Sequence, residues 1–518
     1  MPSTANEGRR LSLILSLLSA IASGVLYSCS FPPARLQWVA WVGLVPLLVM
    51  LRRARLGTAL FSAWVFTIVS SYATGSWFPR AVSEYYAQGP LIGLAFFFGV
   101  ATLMGGPGVL AFAAAYRAIG RRTAAATPLL AAAAWIMGEL IRARLLTGNP
   151  WILLGYSQLG IDPLVQTADL TGVYGVSFVV VAANAALAEV ALDLAAGRGV
   201  TRATAAGAAL AGAVLALCLT YGELRAGAQD AGTSVPIGIV QGNVDLGTQW
   251  QEQFYGRNLD LYGRMTLQLL RDLPVRLVFW PEAALTFFLD GNSSAPYRAS
   301  IASIIGSSGA QLVTGGPRVA APAAREFFFN AAFLVSPEGA VLGHYDKQHL
   351  LPFAEYFPIG SLDFLRRNFG RVREFTPGAP SAPLPTVAGR AGVLICNEAM
   401  FPEIAAERVR DGAQYLVNLA NDSWLNDRTF SEITLNMVAF RAIEQRRYLV
   451  RASTSGPSAI VDPRGRVLAR SEPLSAAILT GAIAPHDDLT IYARFGDWFA
   501  FGCTGVVFAA VLRRARAA

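Results

Sequence analysis

Long apolar runs fill the first 222 or so residues and recur once near the C-terminus, whereas the stretch between them alternates short apolar runs with amphipathic ones. Runs of helix length predict membrane spans at about 11–31, 36–51, 58–78, 91–116, 124–141, 172–195, 203–221 and 495–512, eight in all. The first follows Arg9 and Arg10 like a secretory leader, but further spans come at once, so it reads as an uncleaved helix. The connection 145–175 is poor in charge, rich in aromatics and broken by Pro and Gly, and is expected at a lipid–water interface.

Between the apolar blocks, strand-like runs fall at 237–241, 276–280, 311–314, 331–336, 392–396 and 415–419, and helical ones around 251–272, 296–308, 402–411 and 430–446. That alternation predicts a layered α/β domain. The expected organisation is a membrane domain over 1–222 with about seven helices, an α/β domain over 223–490, and a C-terminal membrane helix over 491–518.

Composition sharpens this picture. A chain 54% hydrophobic and 15% charged, with mean hydropathy +0.43, is too apolar to be wholly soluble. The formal charge of +8 does not indicate nucleic acid, because arginines sit at segment ends and not along one stripe. Arg9/Arg10, Arg52/Arg53/Arg55, Arg117/Arg121/Arg122, Arg198/Arg202 and Arg513/Arg514/Arg516 fall on alternate connections, which assigns those to the cytoplasm and the α/β domain to the outer side. Arg35, Arg80 and Arg142/Arg144 depart from the pattern, the last pair read as reaching for headgroups. Glu139 and Glu189 lie within spans, where a carboxylate is either functional or snorkelling from a helix end. Gly105-Gly106-Pro107-Gly108 lacks the Lys-Ser/Thr of a phosphate loop and reads as a close-packing or kink site.

Chemistry concentrates in the α/β domain. Of four cysteines only Cys396 lies outside the apolar segments, at the end of the run Leu394-Ile395-Cys396-Asn397-Glu398. The chain has one lysine, Lys347, against 41 arginines, in Tyr345-Asp346-Lys347-Gln348-His349-Leu350-Leu351-Pro352-Phe353-Ala354-Glu355. A third strand end, Phe279-Trp280-Pro281-Glu282, supplies a carboxylate. A thiol attacks an acyl group as thiolate, so Glu282 is the candidate general base for Cys396. Lys347, with the backbone N–H of Asn397, is the candidate stabiliser of the oxyanion that forms. His344, His349 and His486 have no metal-ligand spacing and no nucleotide fingerprint is present, so no metal or cofactor is expected.

The order Glu282, Lys347, Cys396 resembles the nitrilase superfamily, which implies an αββα sandwich. With the spans, Gln241-Gly242-Asn243-Val244, Trp250, Thr147-Gly148-Asn149-Pro150-Trp151, Gly155-Tyr156-Ser157-Gln158 and Asn421-Asp422-Ser423-Trp424, the whole chain resembles the apolipoprotein N-acyltransferase family. That resemblance implies a monomeric enzyme of the bacterial inner membrane, its catalytic domain facing the periplasm. It also implies acyl transfer from a phospholipid through a cysteine thioester to the N-terminal amine of a diacylated apolipoprotein. Glu355 and Glu398 match supporting acids of the family, or are plain salt-bridge partners. Trp250 matches a tryptophan on a loop over the site, or is an exposed aromatic, and residues 245–257 and 356–373 are expected to move as lids. Asn397 stands where the family commonly has tyrosine. The alternatives are a membrane-tethered amidase that gives its acyl group to water, and a non-catalytic membrane scaffold.

Overall fold

The computed structural model describes residues 3–120, 125–226, 233–244, 255–291, 294–320, 326–357 and 374–516. The chain forms two compact units, one of residues 1–80, 89–228 and 495–518, the other of 81–88 and 229–494. Residues 81–88, read from sequence as part of the N-terminal block, therefore group with the α/β unit.

In the first unit six described helices are long and apolar enough to cross a membrane: Leu11–Cys29, Leu56–Gly75, Pro90–Ile119, Val173–Ala195, Arg202–Arg225 and Trp498–Arg516. The two other expected spans differ. Residues 36–51 fold as a 3₁₀ turn, Gln37–Trp41, and a nine-residue helix, Val45–Arg53, whose rise is too short to cross alone. Residues 124–141 contribute to the 18-residue helix Thr127–Arg144, which carries Glu139, Arg142 and Arg144.

Those charges bond inside the unit and do not reach for headgroups. Glu139 accepts from Trp135 Nε1 at 2.9 Å and from Leu154 N at 2.8 Å, which fixes the start of the 3₁₀ turn Leu154–Gln158. Arg142 donates to the Trp151 carbonyl, and Arg144 pairs with Asp497. Glu189 lies 3.5 Å from the Arg52 guanidinium, which stacks over Tyr116. Satisfying a buried charge in this way avoids its desolvation cost in an apolar surround. The 145–175 connection is correspondingly internal: Leu153, Leu154, Tyr156 and Gln158 are fully buried. At Gly108 an added Cβ would sit 2.2 Å from the Gly138 carbonyl oxygen, so the glycine-rich stretch is a helix-crossing point.

The second unit is a sandwich of two six-stranded sheets. Its strands are β1 (Val235–Gln241), β2 (Leu277–Phe279), β3 (Gln311–Ala320), β4 (Phe327–Val335), β5 (Val341–Asp346), β6 (Leu384–Thr386), β7 (Gly389–Ile395), β8 (Tyr415–Ala420), β9 (Leu449–Ser453), β10 (Ala459–Val461), β11 (Val467–Arg470) and β12 (Ala477–Ile483). The orders are β12-β1-β2-β3-β4-β5 and β11-β10-β9-β8-β7-β6. Side-chain alternation builds the layers. Ile237, Ile239, Leu277 and Phe279 face Val393, Ile395, Val417 and Val450 of the other sheet. Val240, Val278 and Trp280 point outward, onto Leu259, Tyr262 and Leu269 of helix Tyr255–Asp272 and Ile301 of helix Ala295–Ile305. On the other face lie helices Pro402–Arg410 and Arg428–Gln445, giving the αββα arrangement. The central strands β1-β2-β3 and β7-β8-β9 run parallel, so their carboxyl ends open on one rim.

Candidate active site

Glu282 follows β2, Lys347 follows β5 and Cys396 follows β7, and all three line one cavity of about 80 Å³. Local backbone features explain how each is presented. Cys396 sits at φ +51°, a left-handed conformation costly for a side-chain-bearing residue and common where a nucleophile is turned out of a strand end. The turn is braced from beneath by Asn418 Nδ2, which donates to the carbonyls of Leu394 at 2.9 Å and Cys396 at 3.3 Å. Asn418 is held in turn by the fully buried Arg451, which also binds Asp422. At Gly315, a Cβ would lie 2.6 Å from the Glu282 Cα, so only glycine lets the Pro281–Ala284 turn pass β3.

The charged groups are ordered by hydrogen bonds. Lys347 Nζ lies 2.7 Å from Glu355 Oε2, which also accepts from Leu351 N at 2.7 Å. Asn330 Nδ2 donates to Glu282 Oε1 at 2.7 Å and to Glu355 Oε1 at 2.8 Å. Glu282 and the Cys396 thiol line the same cavity. Burial pushes the thiol well above its ordinary pKa, and the Glu282 carboxylate pushes it further, so it rests protonated. Burial also raises Glu282, with Lys347 opposing and Glu355 adding to the rise, which suits a carboxylate to accept a proton. For Lys347 burial favours the neutral amine, but the charges of Glu355 and Glu282, with that of Cys396 whenever it ionises, outweigh it and raise its pKa. It is therefore a permanent cation, and the deprotonatable role that lysine permits is not the one this site favours.

Glu398 is completely buried and joins the segments that carry Lys347 and Cys396. Oε1 accepts from Tyr345 Oη at 2.9 Å, Gln348 N at 2.8 Å and His349 N at 3.0 Å, while Oε2 accepts from Ile395 N at 2.7 Å. It holds the lysine segment against the nucleophile turn and is not a plain salt-bridge partner. Glu398→Gln puts an amide N–H where an N–H donor must bond, so it is expected to lower stability by about 1–3 kcal/mol, read by thermal unfolding, and to slow acylation of Cys396.

The structure does not bring together every residue singled out above. Asn397 is buried, its Oδ1 has no hydrogen-bond partner, and it does not line the cavity. Trp250 and most of the two segments expected to act as lids, 245–254 of 245–257 and 358–373 of 356–373, lie outside the described residues. Asn330, Asn418 and Arg451 were missed, although each is a polar residue in an apolar strand, which is a readable signal. Tyr85 was missed without any local signal. It lines the cavity and packs edge-on against Trp424 at 5.8 Å, and Tyr86 donates to the Phe353 carbonyl.

Residues 23–186 match the family model of the apolipoprotein N-acyltransferase N-terminal domain, and residues 237–487 match that of carbon-nitrogen hydrolases. An apolipoprotein N-acyltransferase of Geobacter metallireducens is 32% identical over 512 residues, covering 96% of this chain and 95% of the relative. The chain belongs to the apolipoprotein N-acyltransferase family. A second member, from Azotobacter vinelandii, is 31% identical over 96% of this chain and 95% of its own length. A carbon-nitrogen hydrolase structure from Helicobacter pylori is similar over 48% of this chain and 89% of its own, at 17% identity and TM-score 0.38. Membership makes the protein an acyltransferase of the nitrilase-like, membrane-associated kind. The αββα sandwich and the six apolar helices are the two halves of that family's pattern.

Proposed function

We propose that the protein moves an acyl chain from a membrane phospholipid onto Cys396, and from there to the N-terminal amine of a diacylglyceryl-cysteine on apolipoproteins. The observation that carries this reading is the convergence of Glu282, Lys347 and Cys396 on one cavity in a chain of this family. Glu282 takes the thiol proton as sulfur attacks the ester carbonyl, and the oxyanion forms beside the Lys347 ammonium. Collapse of the tetrahedral adduct breaks the ester C–O bond, the proton on Glu282 passes to the departing alkoxide, and lysophospholipid leaves. The amine of the second substrate then attacks the thioester carbonyl and gives a proton to Glu282; collapse of this adduct breaks the C–S bond to leave the amide, and the proton on Glu282 returns to the departing thiolate.

The alternate distribution of arginines supports a catalytic unit on the periplasmic side of the inner membrane. A monomer suffices for the reaction, since all three groups come from one chain.

Incubation with phospholipid alone is expected to add one acyl mass to the peptide containing Cys396, and later addition of a diacylated lipopeptide to move that mass to its amine. Release of free fatty acid with no acylated lipopeptide would replace this reading with hydrolysis. No acyl adduct at Cys396 would remove the thioester route altogether.

A further inference from the structure

The carboxylates of Glu282 and Glu355 converge on one neutral side chain. Asn330 stands in the middle of β4, its carbonyl accepting from Lys347 N at 2.8 Å, so its position is fixed by sheet and site together. The orientation of its amide follows from its neighbours. Two carboxylate oxygens at 2.7 and 2.8 Å require donors, and the reversed amide would set oxygen against oxygen. One N–H then points to each glutamate, and neither of those oxygens can carry a proton while the bond stands. Glu282 Oε2 is buried with no hydrogen-bond partner among the described residues, in the cavity that Cys396 also lines.

We infer that Asn330 is a positioning residue for the moving proton: it pins Glu282 Oε1 as an acceptor and leaves Oε2 as the oxygen that receives the proton of Cys396. The inference rests on Glu282 being the base. In the step, the S–H bond breaks, the proton joins Oε2, and the sulfur electron pair forms the bond to the acyl carbon. Asn330 never exchanges a proton itself. It also separates two carboxylates that would otherwise repel, and so sets the pH above which Glu282 is free to act. The charged and titratable groups facing Glu282 are Lys347 and Glu355 from the lysine segment and Cys396 from the nucleophile turn, with Tyr85 across the cavity and Asp422 acting on the thiol.

The test uses iodoacetamide and the full-length protein in detergent without lipid, with alkylation located at Cys396 by mass spectrometry across pH. The rate rises through an acid limb as Glu282 ionises. Asn330→Asp places a third carboxylate in the cluster and is expected to move that limb up by about one pH unit or more, a tenfold loss at fixed pH on the limb. Asn330→Ala, which removes both N–H donors, and Asn330→Ser, which leaves at most one shorter O–H donor, add no charge and move it the same way by less. They carry the test if the aspartate variant does not fold. A uniform drop at every pH with the limb unmoved is what a merely structural role gives, and it overturns the inference. Glu282→Gln is the control: a limb that persists there shows that the base was misassigned, whatever Asn330 does. Because no lipid is present, these results stand apart from the success or failure of acyl transfer.

Discussion

Cys396→Ala is expected to abolish both thioester formation and N-acylation of a diacylated lipopeptide, below any measurable turnover, while the thermal unfolding midpoint stays close to that of the parent. Among the described residues that line the cavity, Cys396 is the only thiol. The three other cysteines lie in the apolar helices Ser3–Cys29, Arg202–Ala226 and Trp498–Arg516, and Lys347 is held as a cation by the carboxylates around it. Stability is expected to survive because alanine keeps the left-handed backbone at φ +51° and deletes a single partly buried sulfur. Cys396→Gly makes the same point from the other side. It removes the Cβ that makes this conformation costly, so it should be equally inactive and more stable by about 1 kcal/mol. Residual N-acylation by either variant, with the lipopeptide product identified by mass spectrometry, would displace Cys396 from the reaction. A large loss of stability in Cys396→Ala would mean that the thiol is chiefly a packing group.

The sequence carried the layered α/β domain because its central strands are short, continuous apolar runs. All six strand-like runs read from it, from Ile237 to Leu419, are present in β1, β2, β3, β4, β7 and β8. The six strands it did not reveal are of another kind. β9 has Arg451 at its centre, β11 is largely exposed, and β6 and β10 are three residues long, so these four show no apolar period. Two of the eight expected spans take another form for a related reason. Hydropathy sums over 36–51 and 124–141 cannot see that a turn interrupts the first, or that Glu139 and Arg142 in the second bond within the fold. At the site, strand-end chemistry made Glu282, Lys347 and Cys396 legible. Asn330 and Glu398 act through distances that arise only on folding, and Tyr85 comes from a part of the chain that gives no reason to expect it there.

Lys347→Arg is expected to cut the rate of Cys396 acylation by about 10²–10³-fold, the loss typical when one oxyanion donor is removed, although the charge is kept. The chain holds 41 arginines and places some in fully buried positions, Arg408, Arg441, Arg447 and Arg451 among them, so a buried guanidinium is no obstacle to this fold. What differs is the job at the site. Arg447, for example, is spread over backbone carbonyls of Ala413, Gln445, Arg446 and Asp488, a use suited to a planar group with five donors. Lys347 instead presents one compact ammonium 2.7 Å from Glu355 Oε2, on the wall of an 80 Å³ cavity. A guanidinium there is longer and flat. It can satisfy Glu355 only by entering the space where the oxyanion forms, or withdraw and leave that oxyanion without its nearest cation. Either outcome raises the barrier to attack more than it disturbs the resting thiol. The informative comparison is therefore acylation from phospholipid against alkylation of Cys396 by iodoacetamide. Acylation should fall steeply in Lys347→Arg and alkylation by less than tenfold, because alkylation develops no oxyanion. Equal losses in both would make Lys347 a determinant of the thiol alone, and parent-like acylation would remove it from the mechanism.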